Sequence, residues 1–304
     1  MESTRAEPIV EERPSPTLLV LALLALYVIW GSTYLAMRIA METLPPMLMA
    51  GPRFIVAGSI MFGFLRLRGE PIPSREQWIA AAKVGVLLLT FGNGAVAIAE
   101  QSVSSGVAAV IVASMPIWAA IFGYFLGQPP GRREWLGLAL GFVGVLILNA
   151  GGDLELNTRG LICLAAPISW AFGSVWGKKL PLPKGGMSTA AQMICGGAAM
   201  LVLAAITGER LDGMPSTRSL LAMVYLAAFG SLVAFTAYTW LLRHTRPALA
   251  TSYAYVNPIV ALLLGRFLGK EPLGISAVAA AAVCISGVAL IAKRTSKDRS
   301  SRRP

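Results

Sequence analysis

The chain has 304 residues, of which 56% are hydrophobic and only 13% charged, with a net charge of +11 and a mean hydropathy of +0.67. That composition excludes an ordinary soluble domain. The basic excess is not a nucleic-acid footprint, because Lys and Arg are confined to short segments between apolar blocks of about 20 residues, the length a helix needs to cross the hydrocarbon core.

In chain order, residues 1–16 form a polar tail expected to be disordered and cytoplasmic. The first predicted span covers 17–40; it exceeds a signal-peptide core and lacks a small-residue cleavage site, so it is read as a retained helix. Trp30, Thr33, Tyr34 and Arg38 fall on one of its faces, at i, i+3, i+4 and i+8. The second span, 46–66, follows Leu44-Pro45-Pro46 and carries Arg53 just after Gly51-Pro52. The third, 78–98, is expected to break at Gly92-Asn93-Gly94, with Asn93, Ala97, Glu100 and Gln101 sharing a face beyond the break. Further spans follow at 104–126, 134–150, 159–178, 187–207, 218–242, 247–268 and 273–292. Within them Trp170, Ser174 and Lys178 share a face, Tyr255 and Asn257 lie together, and Tyr238 and Trp240 are read as an interfacial belt. A basic tail, 293–304, closes the chain.

Ten spans make a testable statement about loop charge. With the N-terminus inside, 18 of the 26 Lys and Arg residues fall in inner segments and six in outer ones, with Arg53 and Lys83 left inside spans. This bias puts both termini in the cytoplasm. Pro116–Gly127 reads PIWAAIFGYFLG and Pro258–Gly269 reads PIVALLLGRFLG, identical at seven of twelve positions and 142 residues apart. Gly31-Ser32 and Gly173-Ser174 repeat the same offset, and Phe91-Gly92 recurs as Phe229-Gly230. The fold expected is therefore an all-α polytopic membrane protein of ten transmembrane helices, built as two five-helix repeats over 17–150 and 159–292. Because five is odd, the second repeat enters the membrane from the opposite side, an inverted architecture that places a substrate site between the halves.

Gly123/Gly127 and Gly265/Gly269 have the i, i+4 spacing of close helix packing. Pro116 and Pro258 are candidate hinges. Polar residues inside spans are costly and mark function, which nominates Trp30, Thr33, Tyr34, Asn93, Gln101, Trp170, Ser174, Tyr255 and Asn257 as the lining of a substrate cavity. Glu100 and Arg53 are candidate coupling or charge sites; Glu100 is read either as a surface acid or as a carboxylate held in a water-filled vestibule. Cys163, Cys195 and Cys284 show no metal-ligand or disulfide spacing. No G-x-S-x-G, H-E-x-x-H or P-loop pattern occurs, so neither enzyme chemistry nor a cofactor or metal is expected.

The segments WGSTYLAMR, GNGAVAIAEQ, PISWAFGSVWG and PALATSYAYVNPIVALLLG resemble the EamA family of the drug/metabolite transporter superfamily, over about residues 18–292. The resemblance implies two inverted repeats, cytoplasmic termini, a bacterial inner-membrane location and efflux of small metabolites or drugs. A lipid-flippase subunit, or a sensor or enzyme on the same scaffold, remains an alternative. The expected partners are a small-molecule substrate and the bilayer, and the oligomeric state is left open.

Overall fold

The computed structural model describes residues 15–101, 108, 111–148, 158–269 and 275–292. Both predicted tails lie outside those residues, apart from Ser15 and Pro16. The described chain is helical, and its helices are labelled in order: α1 Pro16–Ala40, α2 Pro46–Leu67, α3 Arg75–Ala99, α4 Met115–Phe125, α5 Arg132–Leu148, α6 Thr158–Trp176, α7 Gly185–Thr207, α8 Thr217–His244, α9 Tyr253–Gly269 and α10 Ile275–Ala292. A single helical turn, Pro247–Ala250, precedes α9. Five of these helices, α1, α2, α3, α7 and α8, are long and apolar enough to cross a membrane. Leu18, Leu21, Val28, Ile60, Phe64, Val202 and Ile206 point outward from them, as side chains facing lipid do.

Local chemistry sets the ends. α2 starts at Pro46, a first-turn position where a missing N–H costs nothing. α3 opens with a capping box: Ser74 Oγ accepts from Gln77 N, and Gln77 Oε1 accepts from Ser74 N. α7 ends on Gly208 in the left-handed region, φ 72°. A carboxylate caps α2 from a distance, since Glu209 Oε2 accepts from Met47 N at 2.9 Å and from Leu48 N at 3.1 Å. This anion sits where the α2 dipole is positive.

The helices pair in a pattern that follows the sequence repeat. α2 packs mainly on α7 and α5 mainly on α10, each helix meeting its own counterpart in the other half. α1 lies against α8 and α9, and α6 lies against α3 and α4. Glycines allow the two counterpart crossings: a Cβ on Gly197 would sit 2.8 Å from the Gly51 carbonyl, and one on Gly287 would sit 2.6 Å from the Gly137 carbonyl. Backbones at this distance gain van der Waals contact that longer side chains forbid.

The glycines of the repeated twelve-residue segment behave differently. Gly127 has φ 84° and open space around it, so it ends α4 rather than packing a neighbour. Gly123 meets only Gln128, across the turn that ends α4. Gly265 and Gly269 lie in α9, and their surroundings fall outside the described contacts. The two repeated prolines also part ways. Pro116 occupies the first turn of α4, where it starts the helix, whereas Pro258 lies within α9. Only Pro258 deprives a helix carbonyl of its donor and can bend the axis.

Candidate functional site

The expected break in the third span is instead a widening. Val86–Asn93 of α3 is π-helical and rejoins α-helix at Gly94, and Leu226–Ala234 of α8 is π-helical too. The two stretches contain the repeated Phe91-Gly92 and Phe229-Gly230 pairs, so the device occurs once in each half. Gapped turns of this kind leave carbonyls open to other donors. Trp30 Nε1 donates to Gly230 O at 3.0 Å, and Ser169 Oγ donates to Leu87 O at 2.8 Å. In this way α1 of the first half is tied to the π stretch of the second, and α6 of the second half to that of the first.

Between these ties lies a cavity of about 70 Å³. Its wall includes Trp30, Thr33 and Tyr34 from α1, Arg53 from α2, Asn93 from α3, Met115 from α4, Trp170 from α6, Phe235 from α8, and Tyr253 and Asn257 from α9. Both halves therefore contribute. Six of the nine residues nominated from sequence for a cavity meet here: Trp30, Thr33, Tyr34, Asn93, Trp170 and Asn257.

The other three lie elsewhere. Tyr255 is fully buried against α5, where its hydroxyl donates to Leu138 O at 3.0 Å and its ring covers Gly141. Ser174 sits behind the cavity, bonded to Trp170 O and to the Tyr238 hydroxyl, each at 2.6 Å. Gln101 is exposed and lines a second, outer space of about 420 Å³ with Glu42, Arg210 and Asp212.

Tyr238 does not belong to an interfacial belt. It has no exposed surface and stands among Trp30, Trp170 and Tyr253, with ring centroids 5.2, 5.6 and 5.8 Å away. Trp30 also meets Trp170 edge-on at 5.5 Å and Tyr253 at 4.6 Å. These separations and tilts suit the aromatic quadrupole. The aromatic wall is thus a single packed cluster drawn from α1, α6, α8 and α9.

Polar groups gather around the cavity. Arg53 is 3% exposed; its Nη2 donates to Asn93 Oδ1 at 2.7 Å, and its Nε has no partner. Asn257, 2% exposed, has an Oδ1 without a well-formed hydrogen bond, although the Tyr34 side chain lies close. Glu100 ends α3 two turns beyond Asn93, immediately before Gln101 of the outer space. Both of its carboxylate oxygens are buried and neither has a hydrogen-bond partner. Arg38, Arg53, Tyr34 and Cys163 are the groups that interact with it electrostatically. An ionised carboxylate without donors costs several kcal/mol when buried, so this charge must be met by a proton, a cation or a shift of a neighbouring guanidinium.

No group of His, Cys, Asp and Glu that could hold a metal occurs among the described residues. A small aromatic and polar chamber thus lies at the junction of two similar halves. A model of the EamA-like transporter family matches residues 17–150 and again residues 159–293. The chain belongs to the EamA-like transporter family.

Membership makes the protein a membrane transporter with a small-molecule substrate, and not an enzyme. Among EamA-like relatives, the chain is 47% identical over 272 residues to the "uncharacterized inner membrane transporter YedA" of Escherichia coli K12, covering 89% of each chain. It is 25% identical over 293 residues to the "uncharacterized transporter YvbV" of Bacillus subtilis, covering 94% of each. A crystal structure of another protein aligns with a TM-score of 0.73 at 18% identity, over 95% of this chain and 100% of that one, which shows a shared fold.

Sequence reading of this EamA-like chain missed Met115 and Phe235 as cavity residues, because each looks like ordinary core on an apolar helix. The signal that could have found Phe235 is its position, five residues past the repeated Phe-Gly pair of α8.

Proposed function

We propose that the protein is a secondary transporter that exports small organic solutes across the bacterial inner membrane by alternating access. In this reading ten spans form two inverted five-helix repeats, both termini are cytoplasmic, and the solute binds in the cavity between the halves. Trp30, Tyr34, Asn93, Trp170 and Asn257 form its wall. The observation that carries the reading is the position of the cavity: its wall is assembled from both repeats, at the two π-helical stretches. Rocking one half against the other would open such a chamber to either side in turn.

Glu100 is the coupling group in this proposal. Its carboxylate, buried and without a hydrogen bond, follows the cavity residue Asn93 along the chain and directly precedes Gln101 of the outer space, and in a conformation open to that space it would exchange a proton. The test is solute flux into proteoliposomes with and without an imposed pH gradient. The gradient is expected to accelerate flux through the natural protein and to leave Glu100→Gln flux unchanged. Equal acceleration in the Gln variant would remove Glu100 from coupling.

A further inference from the structure

Resting on the transporter reading above, we propose that the cavity selects its solute by a carboxylate group, which Arg53 binds while the aromatic wall takes the apolar body. Arg53 is a guanidinium in the interior of a membrane protein, a placement kept for function because of its cost. Among the described residues no carboxylate oxygen lies within ion-pair distance of it. Glu100 acts on it only at longer range, and that carboxylate makes no hydrogen bond.

One nitrogen of the guanidinium, Nη2, is spent on Asn93, which fixes its plane from α3, and the neighbouring Nε is buried without a hydrogen bond. A planar guanidinium held in this way, as part of the cavity wall, has further N–H groups to offer a carboxylate. A ligand carboxylate would bring the Arg53 guanidinium an acceptor at hydrogen-bonding distance, which Glu100 does not, whereas an amine alone brings none. In the same wall Trp30, Trp170, Phe235 and Tyr253 present ring faces and edges, so the body of the solute that best fits this wall is flat and apolar.

Three probes sharing one ring separate the possibilities: phenylacetate, phenylalanine and phenethylamine carry a carboxylate, a carboxylate with an ammonium, and an ammonium alone. Binding to the full-length protein in detergent is measured by calorimetry, and exchange is measured separately in proteoliposomes. Phenylacetate and phenylalanine are expected to bind at least about tenfold more tightly than phenethylamine. Arg53→Gln should weaken the two carboxylates roughly 10- to 100-fold, the range for a hydrogen bond to a charged group. Arg53→Lys should fall between, since it keeps the charge and loses the planar guanidinium.

Asn93→Asp supplies a second route that leaves Arg53 in place. The new carboxylate pairs with the guanidinium and should weaken both ligands to a similar degree. If phenethylamine binds as tightly as phenylacetate, if neither carboxylate binds, or if Arg53→Gln or Asn93→Asp leaves affinity unchanged, the assignment is overturned. Carboxylate binding without exchange would sustain Arg53 and defeat the transport reading. Exchange of phenethylamine without either carboxylate would do the reverse.

Discussion

The crossing of α2 and α7 allows a prediction in which two chemically identical substitutions have opposite effects. In Gly197→Ala the new methyl group would lie 2.8 Å from Gly51 O, 2.9 Å from Ile55 Cγ1 and 3.0 Å from Ile55 N. Ordinary contact begins near 3.4 Å, and two of these three neighbours are backbone atoms that cannot rotate away. The helices must separate by about half an ångström along their whole contact, and such overpacking costs about 1–3 kcal/mol. Gly63 lies on α2 itself, two turns nearer its C-terminus than Ile55, with nothing within 4 Å of its Cβ position. There Ala only restricts the unfolded chain and favours helix, worth about 0.5–1 kcal/mol in the stabilising direction. Thermal unfolding of the purified variants in one detergent should therefore show Gly197→Ala below the natural protein and Gly63→Ala level with it or above. Shifts of the same sign and size would refute the claim that α2 and α7 meet backbone to backbone.

Tyr238→Phe removes one hydroxyl contact with Ser174, which keeps its bond to Trp170 O; the loss of unfolding free energy should be about 1 kcal/mol or less. Tyr238→Ala empties the centre of the aromatic cluster and should cost about 3–5 kcal/mol, together with solute binding, as read by denaturant unfolding and calorimetry. Glu209→Ala deletes the cap on α2 and should cost about 1 kcal/mol, with the Met47 and Leu48 amides losing protection in hydrogen exchange while the middle of α2 keeps its own. Lys178 sits in the turn after α6, where its ammonium donates to Thr245 O and burial pushes its pKa down to about 8. Because the unfolded chain holds this proton up to about 10.5, unfolding takes up a proton between these values and stability should rise with pH across that window. Amine acylation at pH 8 should accordingly modify Lys178 in proportion to a half-deprotonated group, and a titration midpoint near 10.5 would contradict this.

The all-helical, two-repeat architecture could be read from the sequence because it is written in coarse quantities. Apolar span length and a 142-residue repeat are averages over many residues, and they survive errors at any single one. Helix starts at Pro46 and at Ser74 are local chemistry and fall within a few residues of the predicted boundaries. The site was legible where a polar or aromatic residue is expensive in a span, as for Trp30, Arg53, Asn93 and Asn257.

Sequence reading went astray where two burial modes share one signature. Tyr238 and Tyr255 are both tyrosines in apolar helices, and only packing shows that the first joins the central cluster while the second bolts α9 to Leu138 of α5. Gly123/Gly127 and Gly197 illustrate the same limit, since spacing alone does not separate a helix end from a helix crossing. The π-helical stretches left only Gly92-Asn93-Gly94 as a trace, which looks like a break because glycine weakens either kind of helix.

The most direct test of the account is counterflow in proteoliposomes containing the purified protein. Vesicles preloaded with a small organic solute should accumulate the same solute, radiolabelled, from the outside, and Trp170→Ala should reduce that exchange while the protein remains folded. If no small solute exchanges while fluorescent lipid probes scramble between leaflets, the chamber between the halves is not a solute site and the account is contradicted.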